Sequence, residues 1–91
     1  MGSSGNTVGV IGLGYVGLPL LLAFREAGLS VTGVDIDPEK IRLLEAGETY
    51  LSHIPSDYIG KVLATDCVLT TQMDALSRVE AVVIAVPTPL T

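Results

Sequence analysis

Short apolar runs alternate along this chain with longer stretches in which apolar residues recur every three or four positions, and glycines mark the joins. TVGVIGLG is an uncharged, branched run that stops at glycines, which predicts a buried strand over Thr7–Ile11. In YVGLPLLLAFREAG, Leu18, Leu21, Leu22 and Arg25 keep helical spacing. Pro19 falls in the first turn, where N–H groups lack intrahelical partners, and Gly28 offers a stop. SVTGVD predicts a second strand over residues 29–35. In DPEKIRLLEAG, Asp37 can cap a helix, Pro38 suits its first position and Glu39 its first turn. Ile41, Leu44 and, less firmly placed, Leu43 then face inward, and Gly47 ends the helix.

The next segment has weaker periodicity. It reads as a loop to Pro55 and a short helix over residues 56–64, weakened by Gly60. CVLT gives a third strand, TQMDALSRV a short helix or turn, and EAVVIAV a fourth strand over residues 81–86, ended by Pro87 and Pro89. Every crossover is long enough to hold a helix, so the strands should run parallel. Right-handed crossovers then give a three-layer α/β unit of about four strands in the order 3-2-1-4. The fourth strand would present an uncharged edge, which invites pairing with another copy of the chain.

Composition narrows the picture. The 91 residues allow one small domain, and apolar residues make up 48% of it against only 4% aromatic. Its core must therefore come from Val, Ile, Leu and Ala. The net charge of −5 and the absence of a basic block argue against nucleic acid and against an anionic membrane surface. A small anion could still bind through main-chain N–H groups. The single cysteine, Cys67, permits no internal disulfide and fits a reducing cytoplasm. The longest uncharged run is too rich in Gly and Ser to cross a membrane. Residues 1–6 read as a flexible leader or a cloning scar.

Gly12-Leu13-Gly14-Tyr15-Val16-Gly17 lies between the first strand and first helix. Gly12 permits a tight turn, Gly14 lets a pyrophosphate approach the main chain, and Gly17 lets the helix pack close to the strands. The helix N-terminus adds free N–H groups and a positive dipole end. A lone glycine pattern is weak, but here a second strand also ends in an acid. Asp35 lies 18 residues after Gly17, near the spacing of about 20 for a ribose-binding carboxylate. It would repel a 2′-phosphate, so NAD is favoured over NADP. The reading is a Rossmann-like dinucleotide domain, with residues 7–91 as a partial one. Lys40 is either a solvated helix residue or a contact to ribose or phosphate. Val86-Pro87-Thr88-Pro89 is either a rigid strand exit or a cofactor-lining loop at the point where strand order reverses. Asp37 is read as a cap, His53 as a loop histidine and Cys67 as an inert, buried thiol. Tyr15 is expected to pack across the glycine turn, and Tyr50 and Tyr58 are left open between core and surface.

GVIGLGYVGLPL, GVDIDPEKI, LSHI and AVPTPL together resemble the N-terminal domain of the nucleotide-sugar 6-dehydrogenases, over most of the chain. The YVGLP and VPTPL parts are the most specific, because a generic dinucleotide fold requires neither. The resemblance implies an NAD-dependent oxidation of a sugar C6 alcohol to a carboxylate. It implies that Gly12, Gly14, Tyr15, Val16 and Gly17 hold the pyrophosphate, that Asp35 binds the adenosine ribose, and that Lys40, Val86, Pro87 and Thr88 line the cofactor. TYLSHI tilts the substrate toward a UDP-N-acetylhexosamine. The family's catalytic cysteine lies in a later Gly-rich motif that this chain lacks, and Cys67 does not match it. The expectation is an NAD-binding front piece that is not catalytic by itself. The alternatives are a stand-alone dinucleotide module and the front of a 3-hydroxyacid-type dehydrogenase.

Overall fold

The computed structural model describes residues 7–85. Four strands form one parallel sheet: β1 (Thr7–Ile11), β2 (Ser30–Val34), β3 (Cys67–Thr70) and β4 (Ala81–Ile84). Their order is β3-β2-β1-β4, as the crossover argument requires. Helix α1 (Gly17–Glu26) joins β1 to β2, while α2 (Pro38–Glu45) and α3 (Ser56–Val62) both lie between β2 and β3. A short 3-10 helix, Met73–Arg78, leads into β4. The expected fourth strand is shorter than its apolar run: the ladder ends at Ile84, and Val86, Pro87 and Thr88 lie outside the described residues.

Local chemistry sets the helix ends. Asp37 accepts a hydrogen bond from the Glu39 N–H at 3.0 Å and Pro38 occupies the first turn, so α2 starts where its cap allows. Both α1 and α2 stop at a glycine with positive φ, Gly28 at +99° and Gly47 at +74°. Behind each, the next N–H reaches back into the last turn: Leu29 to Phe24 at 3.1 Å, Glu48 to Leu43 at 2.9 Å. These bonds satisfy carbonyls the helix would otherwise leave bare. Arg25, at the end of α1, ties that terminus to the turn before β3 through the Thr65 carbonyl at 2.8 Å and the Asp66 carboxylate at 3.1 Å.

The two faces of the sheet differ. Val8, Val10 and Val31 are buried on the face that α1 covers, where a side chain at Gly33 would meet Leu13, Leu21 and Leu69. Leu18, Leu21 and Ile59 are fully buried in the same core. The opposite face carries the 3-10 helix: a side chain at Gly9 would run into Leu76 and Val79. Beyond that helix nothing among the described residues covers the face, and Val68, Val82 and Ile84 are exposed on it at 53%, 45% and 69%. They share a face because Val82 and Ile84 pair with Gly9 and Ile11, and Val68 with Thr32.

Candidate functional site

The turn between β1 and α1 lies at the carboxyl ends of the strands. Gly12 has φ +93° and donates to the Val34 carbonyl at 2.8 Å, which pins the turn to β2. A side-chain carbon at Gly17 would lie 1.6 Å from the Gly12 carbonyl oxygen, so only glycine lets α1 begin this close to the turn. At Gly14 the same carbon would meet nothing within 4 Å. That glycine borders open space, so its bareness is free to serve a visitor rather than the fold. Among the described residues, the N–H groups of Gly14, Tyr15 and Val16 donate to no protein acceptor. Being at the head of α1, they offer donors and the positive end of its dipole.

Asp35 follows β2 directly and is 8% exposed. One carboxylate oxygen accepts the Leu13 N–H at 2.8 Å and the other accepts the Asp37 N–H at 2.9 Å. Lys40, one turn into α2, brings its ammonium to 3.7 Å from the first of these oxygens. A carboxylate has about four lone-pair sites, so acceptor capacity remains for a further donor. A cavity of about 440 Å³ opens between these elements, bordered by Gly12, Gly14, Asp35 and Lys40, with Ile36 and Met73 as apolar walls. Ile36 is 85% exposed, an apolar side chain standing free beside an acid.

Tyr50 completes the arrangement from residues 46–55, the loop between α2 and α3. Its hydroxyl donates to the Leu13 carbonyl at 2.5 Å, and Lys40 sits 5.8 Å from its ring centroid. Burial, and then the nearby Asp35 and Asp37 carboxylates, push its phenol well above the usual range. From the same loop His53 stacks on Tyr15, with ring centroids 6.2 Å apart and planes 5° from parallel. Tyr15 therefore does not pack across the glycine turn, as its position in the motif suggests. It is 78% exposed and stacks on His53 instead.

The sequence-derived residues Gly12, Gly14, Tyr15, Val16, Gly17, Asp35 and Lys40 are thus neighbours around one turn. Asp37 caps α2, as its position before Pro38 suggests, and also borders the cavity. Tyr50 could not be assigned from sequence, because no spacing rule connects a loop tyrosine to a carbonyl 37 residues earlier. Cys67 lies apart, half-buried at the start of β3, and burial raises its thiol to about 11. Among the described residues no group of three or more His, Cys, Asp or Glu could hold a metal, and no helix is long and apolar enough to cross a membrane.

Comparison with known proteins agrees with this geometry. UDP-N-acetyl-D-mannosamine dehydrogenase of Salmonella typhimurium is 37% identical over 90 residues, covering 92% of this chain. The chain spans only about 20% of that relative's length. Among solved structures, the UDP-D-ManNAc dehydrogenase of Pyrococcus horikoshii superposes with a TM-score of 0.84 at 30% identity, over 93% of this chain and 21% of its own. A UDP-glucose dehydrogenase from Pyrobaculum islandicum gives 0.86 at 30% identity, over 99% of this chain and 22% of its own. The family model described as UDP-glucose/GDP-mannose dehydrogenase family, NAD binding domain, matches residues 6–91, and the chain belongs to that family as its NAD-binding domain.

Proposed function

We propose that this chain is the cofactor-holding N-terminal part of an enzyme that oxidises the C6 alcohol of a nucleotide sugar to a carboxylate, with a UDP-N-acetylhexosamine as substrate. The substrate class rests on relatives named UDP-N-acetyl-D-mannosamine dehydrogenase in both bacteria and archaea. Catalytic groups are assigned to no residue here, and residues 7–91 are read as part of a larger dinucleotide domain. A reducing cytoplasm suits the lone thiol.

One observation carries the reading: at the head of α1, N–H groups with no acceptor among the described residues, and open space at Gly14, lie beside a carboxylate that closes β2. The residues fit NAD. Gly12 shapes the turn, and the N–H groups of Gly14, Tyr15 and Val16 can donate to a diphosphate while Gly17 keeps α1 close. Asp35 can accept from ribose hydroxyls through its remaining lone pairs, with the Lys40 ammonium 3.7 Å from one of its oxygens. Val86, Pro87 and Thr88 are assigned to the cofactor-lining exit of the fourth strand. When bound, NAD supplies a hydride acceptor. The protein supplies position and the charge that favours a bare 2′-hydroxyl over a 2′-phosphate.

Calorimetric titration tests this. NAD should bind detectably and NADP more weakly, and Asp35→Ala should narrow the difference. Equal binding of both cofactors to the unaltered chain would remove the ribose argument. We further propose that the bare side of β4 associates with a second copy, since its ladder and its exposed Val82 and Ile84 are uncovered among the described residues.

A further inference from the structure

We propose that Tyr50 is a positioning residue that aims the Gly14 N–H at the bound diphosphate, a role that rests on the dinucleotide reading above. Two side chains hold two consecutive peptide groups of the glycine turn. The group between Gly12 and Leu13 is held by its N–H, which donates to Asp35 at 2.8 Å. The group between Leu13 and Gly14 is held by its carbonyl, which accepts from Tyr50 at 2.5 Å.

In a trans peptide the C=O and the N–H of one group point in opposite directions. Drawing the Leu13 carbonyl toward Tyr50 therefore turns the Gly14 N–H the other way. On Gly14 the structure leaves open space, and its N–H has no acceptor among the described residues. The hydroxyl also polarises the peptide group it binds, which makes that N–H a better donor. Tyr50 has the means to hold its place. Its neighbours Leu51 and Ile54 are buried, Thr49 bonds the Leu51 N–H at 3.0 Å and the Leu51 carbonyl at 2.9 Å, and Lys40 lies over its ring. The loop between α2 and α3 thereby reaches the first strand-to-helix turn without entering the cavity.

Tyr50→Phe tests this, since it keeps the ring and removes only the hydroxyl. Binding of NAD, ADP and adenosine to the two proteins is measured, with the Gly14 amide resonance followed in the free proteins. NAD and ADP should each bind about five-fold more weakly, the worth of one hydrogen bond. Adenosine, which has no diphosphate, should bind unchanged, and the Gly14 resonance should move. Equal loss for adenosine and ADP, or no loss for any of the three, overturns the role. Failure of the unaltered chain to bind NAD and ADP overturns the dinucleotide reading itself, and this one with it. Normal binding by the unaltered chain with unchanged Tyr50→Phe affinity sinks only the part played by Tyr50.

Discussion

The carboxylate of Asp35 accepts the N–H of Leu13, 22 residues earlier in the chain, at 2.8 Å. One side chain thus fastens the end of β2 to the turn that opens α1, and through the Asp37 N–H it also fastens the start of α2. Asp35 is a keystone of the fold as well as the proposed ligand for ribose. Asp35→Ala should lower stability by roughly 2–3 kcal/mol, because one buried and one partly buried N–H group lose a charged acceptor. Asp35→Asn should cost less, since its amide oxygen can keep one of the two. Urea denaturation checks the order. An Asp35→Ala protein as stable as its parent would show that water replaces the carboxylate freely.

Gly14 and Gly17 separate binding from folding. A methyl at Gly17 would overlap the main chain of Gly12, which has no flexible end to swing away. Gly17→Ala should therefore cost about 3 kcal/mol or more and prevent α1 from docking. A methyl at Gly14 meets nothing, so Gly14→Ala should leave stability within about 0.5 kcal/mol. It should nonetheless weaken NAD roughly tenfold, about 1.4 kcal/mol, by standing where the diphosphate approaches. Melting curves and cofactor titrations of both variants read the contrast directly.

The same contrast explains what could be read in advance. Strand order, the two glycine stops and the Asp37 cap follow from periodicity and from single-residue backbone preferences, which are local. That the glycine turn and Asp35 lie together follows from a motif whose spacing the fold imposes. What escaped was set by distant packing. The loop tyrosine under the Leu13 carbonyl depends on how α2 and α3 fold back over the turn. Tyr15 turned outward and stacks on His53, a partner 38 residues later in the chain. The apolar run of β4 continues past the point where its ladder to β1 ends, since pairing requires a partner and hydropathy does not.

Cys67 predicts an alkaline effect. Its thiol rises from 9.0 to about 11, chiefly through burial. Between those values the unfolded chain releases the proton while the folded chain keeps it. Unfolding is then favoured as pH rises, so stability contributed by the neutral thiol is present below about 9 and declines toward 11. Cys67→Ser should flatten this part of the stability profile in part, since Tyr50 and Tyr58, whose phenols are also raised, still contribute. Alkylation of the native protein at pH 8 should be slow, because the thiolate is the reactive form. Rapid labelling at that pH in the folded protein would contradict the burial argument.

Self-association should depend on the bare face of the sheet. Val82 and Ile84 stand side by side on β4, next to β1 and away from α1, and both are substantially exposed. Apolar strand surface left uncovered by the described residues gains by meeting another copy, at about 25 cal/mol for each Å² removed from water. A lysine there would have to be desolvated on contact, while in the single copy it would simply extend into solvent. The double variant Val82→Lys, Ile84→Lys should keep the stability of the parent within about 0.5 kcal/mol per site and lose its concentration-dependent increase in sedimentation. If the parent sediments as a single copy at every concentration, β4 is not an association surface. If the variant associates as strongly as the parent, the contact lies on another part of the molecule.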